Sequence, residues 1–149
     1  MYMSYEEVLR EYGECIAHVA GWSMEPLFHN RQSIVKVVPF EIDKMRVGDI
    51  VLYKVDDRYI LHRVLEIQKD SIIARGDNNW FLETINIDNI IGIAAGFWRK
   101  PSSRFVDCND RWYKLYKAFL PALRGLRYCT AKGKHAAKKL LGLKRKDTA

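Results

Sequence analysis

Between residues 33 and 98 the chain consists of short runs rich in β-branched residues, separated by polar turns. Few folds accept that pattern. Ile34 to Val38 is the first run and stops at Pro39; Asp49 to Tyr53 follows Gly48. Arg58 to Ile67 follows the turn residues Asp56 and Asp57, and Ser71 to Ala74 follows Lys69-Asp70. Ile90 to Trp98 is the last, broken by Gly92 and Gly96. Close spacing of short strands indicates antiparallel pairing into a coiled sheet or partly open barrel. No long helical pattern lies between the runs, which argues against a doubly wound parallel sheet. The expected fold is therefore mainly β.

Helical patterns flank this region. Ser4 and Glu7 have capping-box spacing, and Tyr5, Val8, Leu9, Tyr12, Ile16 and Val19 recur at helical intervals. The spacing predicts a helix over 4–18, with Cys15 on its apolar side and Gly21 ending the pattern. Residues 99–108, with Pro101, Ser102 and Ser103, read as a connector. Residues 109–128 place Trp112, Leu115, Tyr116, Phe119 and Leu120 on one helical face, with Pro121 expected to kink or divide the helix. A short Lys-rich amphipathic stretch follows, Ala131 to Leu143.

Charge separates the same two parts. Residues 1–98 carry ten Lys/Arg against fifteen Asp/Glu, whereas residues 99–149 carry fifteen against three. The expected organisation is a domain over 1–98 and a basic amphipathic helical tail over 99–149. Such a tail suits an anionic surface, membrane or nucleic acid. It holds no nucleic-acid recognition motif, so it suggests either an anionic membrane surface as partner or a helix packed on the domain with a solvated charged face.

Other classes are excluded by what the chain lacks. At 48% hydrophobic and 29% charged residues it does not have the composition of a disordered protein. No stretch reaches the ~18 apolar residues of a membrane span, and Met1 to Arg10 has no apolar run of a secretory leader. Cys15, Cys108 and Cys129 form no disulfide framework and no metal-ligand spacing. A cytoplasmic protein, peripheral at a membrane surface if its tail docks there, is the expectation, with no cofactor and no metal.

Three segments carry possible chemistry. Gly21-Trp22-Ser23-Met24-Glu25-Pro26 places a serine hydroxyl at an expected helix-to-strand junction, with Pro26 fixing the backbone and Met24 able to fill a gap beneath the turn. Alone, such a serine reads as a surface loop residue. In Tyr59-Ile60-Leu61-His62-Arg63-Val64, alternation puts Ile60, His62 and Val64 on one face. A lone strand histidine is most simply a satisfied, half-buried one, although a pKa of about 6.5 suits it to take a proton near neutrality. Arg75-Gly76-Asp77-Asn78-Asn79 is a turn sequence, and Glu83 stands six residues past Asp77.

Taken in order, Ser-Met-Glu-Pro, Gly-Asp-Ile-Val, Leu-His-Arg-Val and Gly-Asp-Asn-Asn resemble the motifs of the type I signal peptidases. The resemblance spans about residues 16–98 and is nearest to the endoplasmic-reticulum-like branch, which uses histidine. The bacterial branch and the LexA-like relatives have lysine where this chain has His62. The resemblance implies a signal peptidase–LexA type of β fold and a serine endopeptidase acting on an extended peptide of a precursor or leader. Ser23 matches the nucleophile and His62 the general base. Asp77 matches the first acid, and Glu83 stands where the family has a further aspartate. Either carboxylate would then orient the imidazole, or the site is a Ser/His dyad. The backbone N–H of Ser23 is the candidate oxyanion donor.

Two departures keep other functions in view: no membrane anchor is evident, and Glu83 replaces an aspartate. A catalytically inactive peptide-binding module on the same fold is one alternative, and a membrane-surface or nucleic-acid-binding protein acting through its basic tail is another. With 22 residues before Ser23, a LexA-like regulator carrying a DNA-binding domain is not the expectation.

Overall fold

The computed structural model describes residues 2–124. Helix α1 (Tyr5–Tyr12) is followed by strands β1 (Cys15–His18), β2 (Ile34–Val38), β3 (Ile50–Val55), β4 (Arg58–Ile67), β5 (Ser71–Arg75), β6 (Glu83–Asn86), β7 (Ile90–Trp98) and β8 (Phe105–Asp107). Helical backbone resumes over 111–124 as α2. The strands form one open antiparallel sheet in the order β1-β2-β7-β3-β4-β5-β6, with β8 also paired to β7. The mainly β expectation holds. β7 pairs with β2 along one side, and with β3 and then β8 along the other. It runs unbroken through both of its glycines.

The N-terminal helix is shorter than its spacing predicts. Ser4 caps it, exchanging hydrogen bonds with Glu7 in a full capping box. Gly13 then adopts φ 73°, a left-handed conformation that glycine takes without Cβ strain, and its N–H closes onto the Leu9 carbonyl. Cys15–His18 consequently leaves the helix and pairs with β2, Cys15 opposite Val37 and His18 opposite Ile34. Cys15 and Ala17 face inward while Ile16 and His18 face out, a two-residue alternation too short to outweigh the helical spacing in sequence. Cys15 is thus a buried strand residue, and Tyr12, which recurs with the apolar positions of the helical pattern, is exposed.

Two other segments differ from expectation for a similar reason. Residues 99–108 are not merely a connector, because Phe105–Asp107 adds three residues to the sheet beside β7. Glu83–Asn86 is a four-residue edge strand on β5, with Ala74 opposite Glu83. Both are too short to carry a periodic signal of their own.

One apolar cluster gathers Met45, Val51, Tyr53, Val64, Ile72 and Ile85 beneath the β3–β6 part of the sheet. Across the opposite face, Phe97 meets Phe28 edge-on at 5.1 Å and Tyr113 at 5.4 Å. Met1–Lys114 is one compact unit, and a second begins at Leu115. In α2 the helical backbone passes through Pro121 without dividing. The expected Lys-rich segment, Ala131 to Leu143, lies outside the described residues. No helix among the described residues is long and apolar enough to cross a membrane.

Candidate active site

Ser23 sits in the loop between β1 and β2, not at a helix-to-strand junction. Its surroundings are pinned from several sides. Gly21, at φ 96°, donates its N–H to Asn30 Oδ1 at 2.8 Å. Met24, Leu27 and Phe28 are buried and anchor the turn from below, the gap-filling role expected of Met24. Arg99 Nη2 donates to the Pro26 carbonyl at 2.9 Å, and Arg99 Nε to that of Leu27 at 3.2 Å.

The Gly-Asp-Asn-Asn turn closes over the same loop. Asn78 donates its backbone N–H to the Ser23 carbonyl at 2.7 Å and its side-chain amide to the Trp22 carbonyl at 3.1 Å. A Cβ at Gly76 would lie 2.5 Å from the Ser23 carbonyl oxygen and 2.9 Å from its Cβ. Backbone cannot retreat from such overlap, so only glycine fits there.

Asp77 is turned away from the histidine and holds Arg63. Arg63 Nε and Nη2 grip its two carboxylate oxygens at 2.8 and 2.7 Å. The remaining guanidinium nitrogen, Nη1, donates to the Gly48 carbonyl at 2.7 Å and to the Tyr113 hydroxyl at 2.9 Å. Burial by itself would make Arg63 easier to deprotonate, but Asp77 outweighs it and the guanidinium is more firmly charged than usual. The Asp77 carboxylate is fully buried. A bidentate, fully hydrogen-bonded pair is the form in which two charges persist inside a protein.

Glu83 meets the imidazole instead. His62 is a buried residue of β4, opposite Val51 of β3. Its Nδ1 lies 2.5 Å from Glu83 Oε2. A carboxylate accepts hydrogen bonds, so Nδ1 carries the proton and Nε2 keeps its lone pair. Desolvation by burial lowers the His62 pKa below 6.5, while Glu83, and less so Asp77, pull it upward. The residue that sequence reasoning missed is Tyr53. Its hydroxyl donates to Glu83 Oε2 at 2.7 Å and stands 2.8 Å from His62 Nδ1. The β3–β4 register contains the signal for it. Val55 pairs with Arg58 across the two-residue turn, so Tyr53 falls opposite Ile60, two pairs along from His62 and hence on the same face.

Ser23, His62 and Glu83 line one cavity of about 310 Å³, together with Ala17 and His18 of β1 and Ile60 of β4. Asp77 does not line it. Among the described residues no group of three His, Cys, Asp or Glu side chains is placed to share a metal ion.

A buried histidine backed by a carboxylate, opening on a cavity beside a serine, is the kind of arrangement that serine hydrolases use. Comparison with known proteins agrees with that class. The signal peptidase complex catalytic subunit SEC11C of Rattus norvegicus is 39% identical over 126 residues, covering 74% of this chain and 64% of the relative. The SEC11C subunits of Homo sapiens and Canis lupus familiaris match to the same extent. The chain therefore resembles the type I signal peptidases on their endoplasmic-reticulum-like branch, and it spans about two thirds of the length of these relatives (64%). No family model matches the chain.

Proposed function

We propose that the chain is a signal-peptidase-like serine endopeptidase, cleaving an extended precursor or leader peptide with Ser23 as nucleophile, His62 as general base and Glu83 as the orienting carboxylate. The observation that carries this reading is the His62 Nδ1–Glu83 contact at the wall of the cavity that Ser23 also lines. With Nδ1 committed to Glu83, Nε2 is the atom left to accept the Ser23 proton as the hydroxyl attacks a peptide carbonyl. His62 then returns that proton to the leaving amine, and Glu83 stabilises the imidazolium without taking the proton itself. The depressed basicity of His62 keeps it neutral, and so competent as a base, at neutral pH. The backbone N–H of Ser23 serves as an oxyanion donor, in a loop already braced by Asn78 and Arg99. In this assignment Asp77 is a structural residue, the partner of Arg63 that fixes the turn over Ser23.

The position of β1 supports an extended substrate. It is an edge strand whose Ala17 and His18 line the cavity, so a peptide can add beside it by main-chain pairing. A peptidase domain that takes in β8 and reaches Lys114, beyond the expected limit at residue 98, belongs to the same proposal, as does contact of the basic C-terminal stretch with an anionic membrane surface from the cytoplasmic side. The charge asymmetry supports the membrane contact.

The deciding experiment incubates the protein and its Ser23→Ala and His62→Ala forms with a mixed peptide pool and reads products by mass spectrometry. Products from the unaltered protein alone are expected. Full activity in either variant, with folding intact, would end the assignment.

A further inference from the structure

We propose that Tyr53 is a positioning residue, whose hydroxyl holds the Glu83 carboxylate against His62; this rests on the peptidase reading above. The ring of Tyr53 is fully buried among Val51, Val64, Ile72 and Ile85, where a phenylalanine would pack as well. A hydroxyl in such a place has to find a partner, since an unmade hydrogen bond in the interior is costly. Here it finds two, and both belong to the site: it donates to Glu83 Oε2 at 2.7 Å, and its oxygen faces His62 Nδ1 at 2.8 Å.

The three atoms close a ring, with the His62–Glu83 contact of 2.5 Å as its third side. Glu83 needs such a brace. Its side chain is 30% exposed and has one more rotatable bond than an aspartate, so water and alternative rotamers compete for the carboxylate. Tyr53, by contrast, is rigid, because its ring is locked in the core and β3 is paired on both sides. Burial and the adjoining carboxylate both hold the phenol proton on more tightly than usual. Tyr53 therefore remains a donor throughout the working pH range and never competes with His62 for the serine proton. It acts through Glu83 and touches neither substrate nor nucleophile.

The test uses Tyr53→Phe, alone and combined with Glu83→Ala. Alone, it is expected to lower kcat about tenfold, as loss of a partner behind a functional side chain commonly does, with KM within about twofold. In the Glu83→Ala background the same change should lower kcat by less than it does alone, because only the direct contact of the hydroxyl with His62 Nδ1 is then left to lose. An unchanged kcat in the first comparison, or an equal fall in both, would overturn the proposal. Two NMR readouts are independent of turnover. The His62 Nδ1 proton and the His62 titration midpoint should both shift in Tyr53→Phe. In the unaltered protein the Tyr53 hydroxyl proton should exchange slowly and show a cross-peak to the His62 ring, which needs no variant to fold. Absence of both would sink the idea. Cleavage that persists in Ser23→Ala would instead defeat the peptidase reading, and the NMR result would still decide the Tyr53–Glu83–His62 contact.

Discussion

Two acidic residues six positions apart take opposite parts, and single substitutions should separate them. Glu83→Gln leaves the fold its shape but gives His62 Nδ1 an amide in place of a charge. By analogy with the triad aspartate of serine proteases, kcat should fall by about 10⁴, while the midpoint of thermal unfolding moves little. Asp77→Asn does the reverse. It strands the Arg63 guanidinium, which is buried with only 3% of its surface exposed. Breaking a buried pair on one side costs roughly 3–5 kcal/mol, to be read from urea denaturation. A Glu83→Gln protein that turns over normally would show that the dyad needs no acid. Gly76→Ala is a third case, in which the new methyl group collides with the Ser23 carbonyl. Overpacking of this kind destabilises by roughly 1–3 kcal/mol, and here it also displaces the proposed nucleophile, so activity should fall with stability.

Among the elements, the β3–β4 hairpin places most of the chemistry. Its two-residue turn has Asp56 at φ 54°, and the register that follows sets Tyr53 and His62 on one face and Arg63 on the other. One strand thus supplies the proposed base to the cavity and, at the next position, the cation that holds the turn over Ser23. A one-residue slip would exchange the two faces. Helix α1 is a smaller device, fixed at its start by the Ser4–Glu7 capping box. Hydrogen bonds from Ser4 hold the Glu7 carboxyl below its usual pKa. Ser4→Ala should cost about 1 kcal/mol, measured by chemical denaturation, with kcat untouched because neither residue lines the cavity.

For the molecule as a whole, His62 ties stability to pH. Its pKa is lowered in the folded protein, chiefly by burial, so the unfolded chain binds its proton more readily. Between the depressed folded value and the unfolded value of about 6.5, the unfolded state carries more protons and stability rises with pH. The contribution is complete above that window and is lost as pH falls through it. His62→Gln should flatten this part of the stability profile, measured by thermal melts from pH 7 to pH 4. The acid limb of kcat/KM should likewise fall below about 6.5. The charge asymmetry along the chain gives a further expectation. Binding to vesicles containing anionic lipid should weaken steeply as salt rises, and neutral vesicles should bind little.

By itself the sequence determined the class of fold and singled out the candidate chemical actors. Five strands were legible because each is long enough for β-branched enrichment and bounding turns to show, and β2, β4 and β7 begin and end where the pattern does. Ser23, His62 and Asp77 stood out in motifs of recognisable order, with Glu83 as a second acid six residues on, a property of sequence alone. The short strands β1, β6 and β8 escaped, since three or four residues hold no period and owe their conformation to a partner strand distant in sequence. What only the tertiary structure decided is which carboxylate meets the histidine. Asp77 and Glu83 are equivalent in charge and stand only six positions apart in sequence. Arg63 points to the opposite face of β4 from His62 and captures the first, while the pairing of β6 with β5 delivers the second to Nδ1. That outcome depends on the pairing of β6 with β5, which local residue preferences do not encode, whereas Tyr53 comes beside His62 through the two-residue β3–β4 turn.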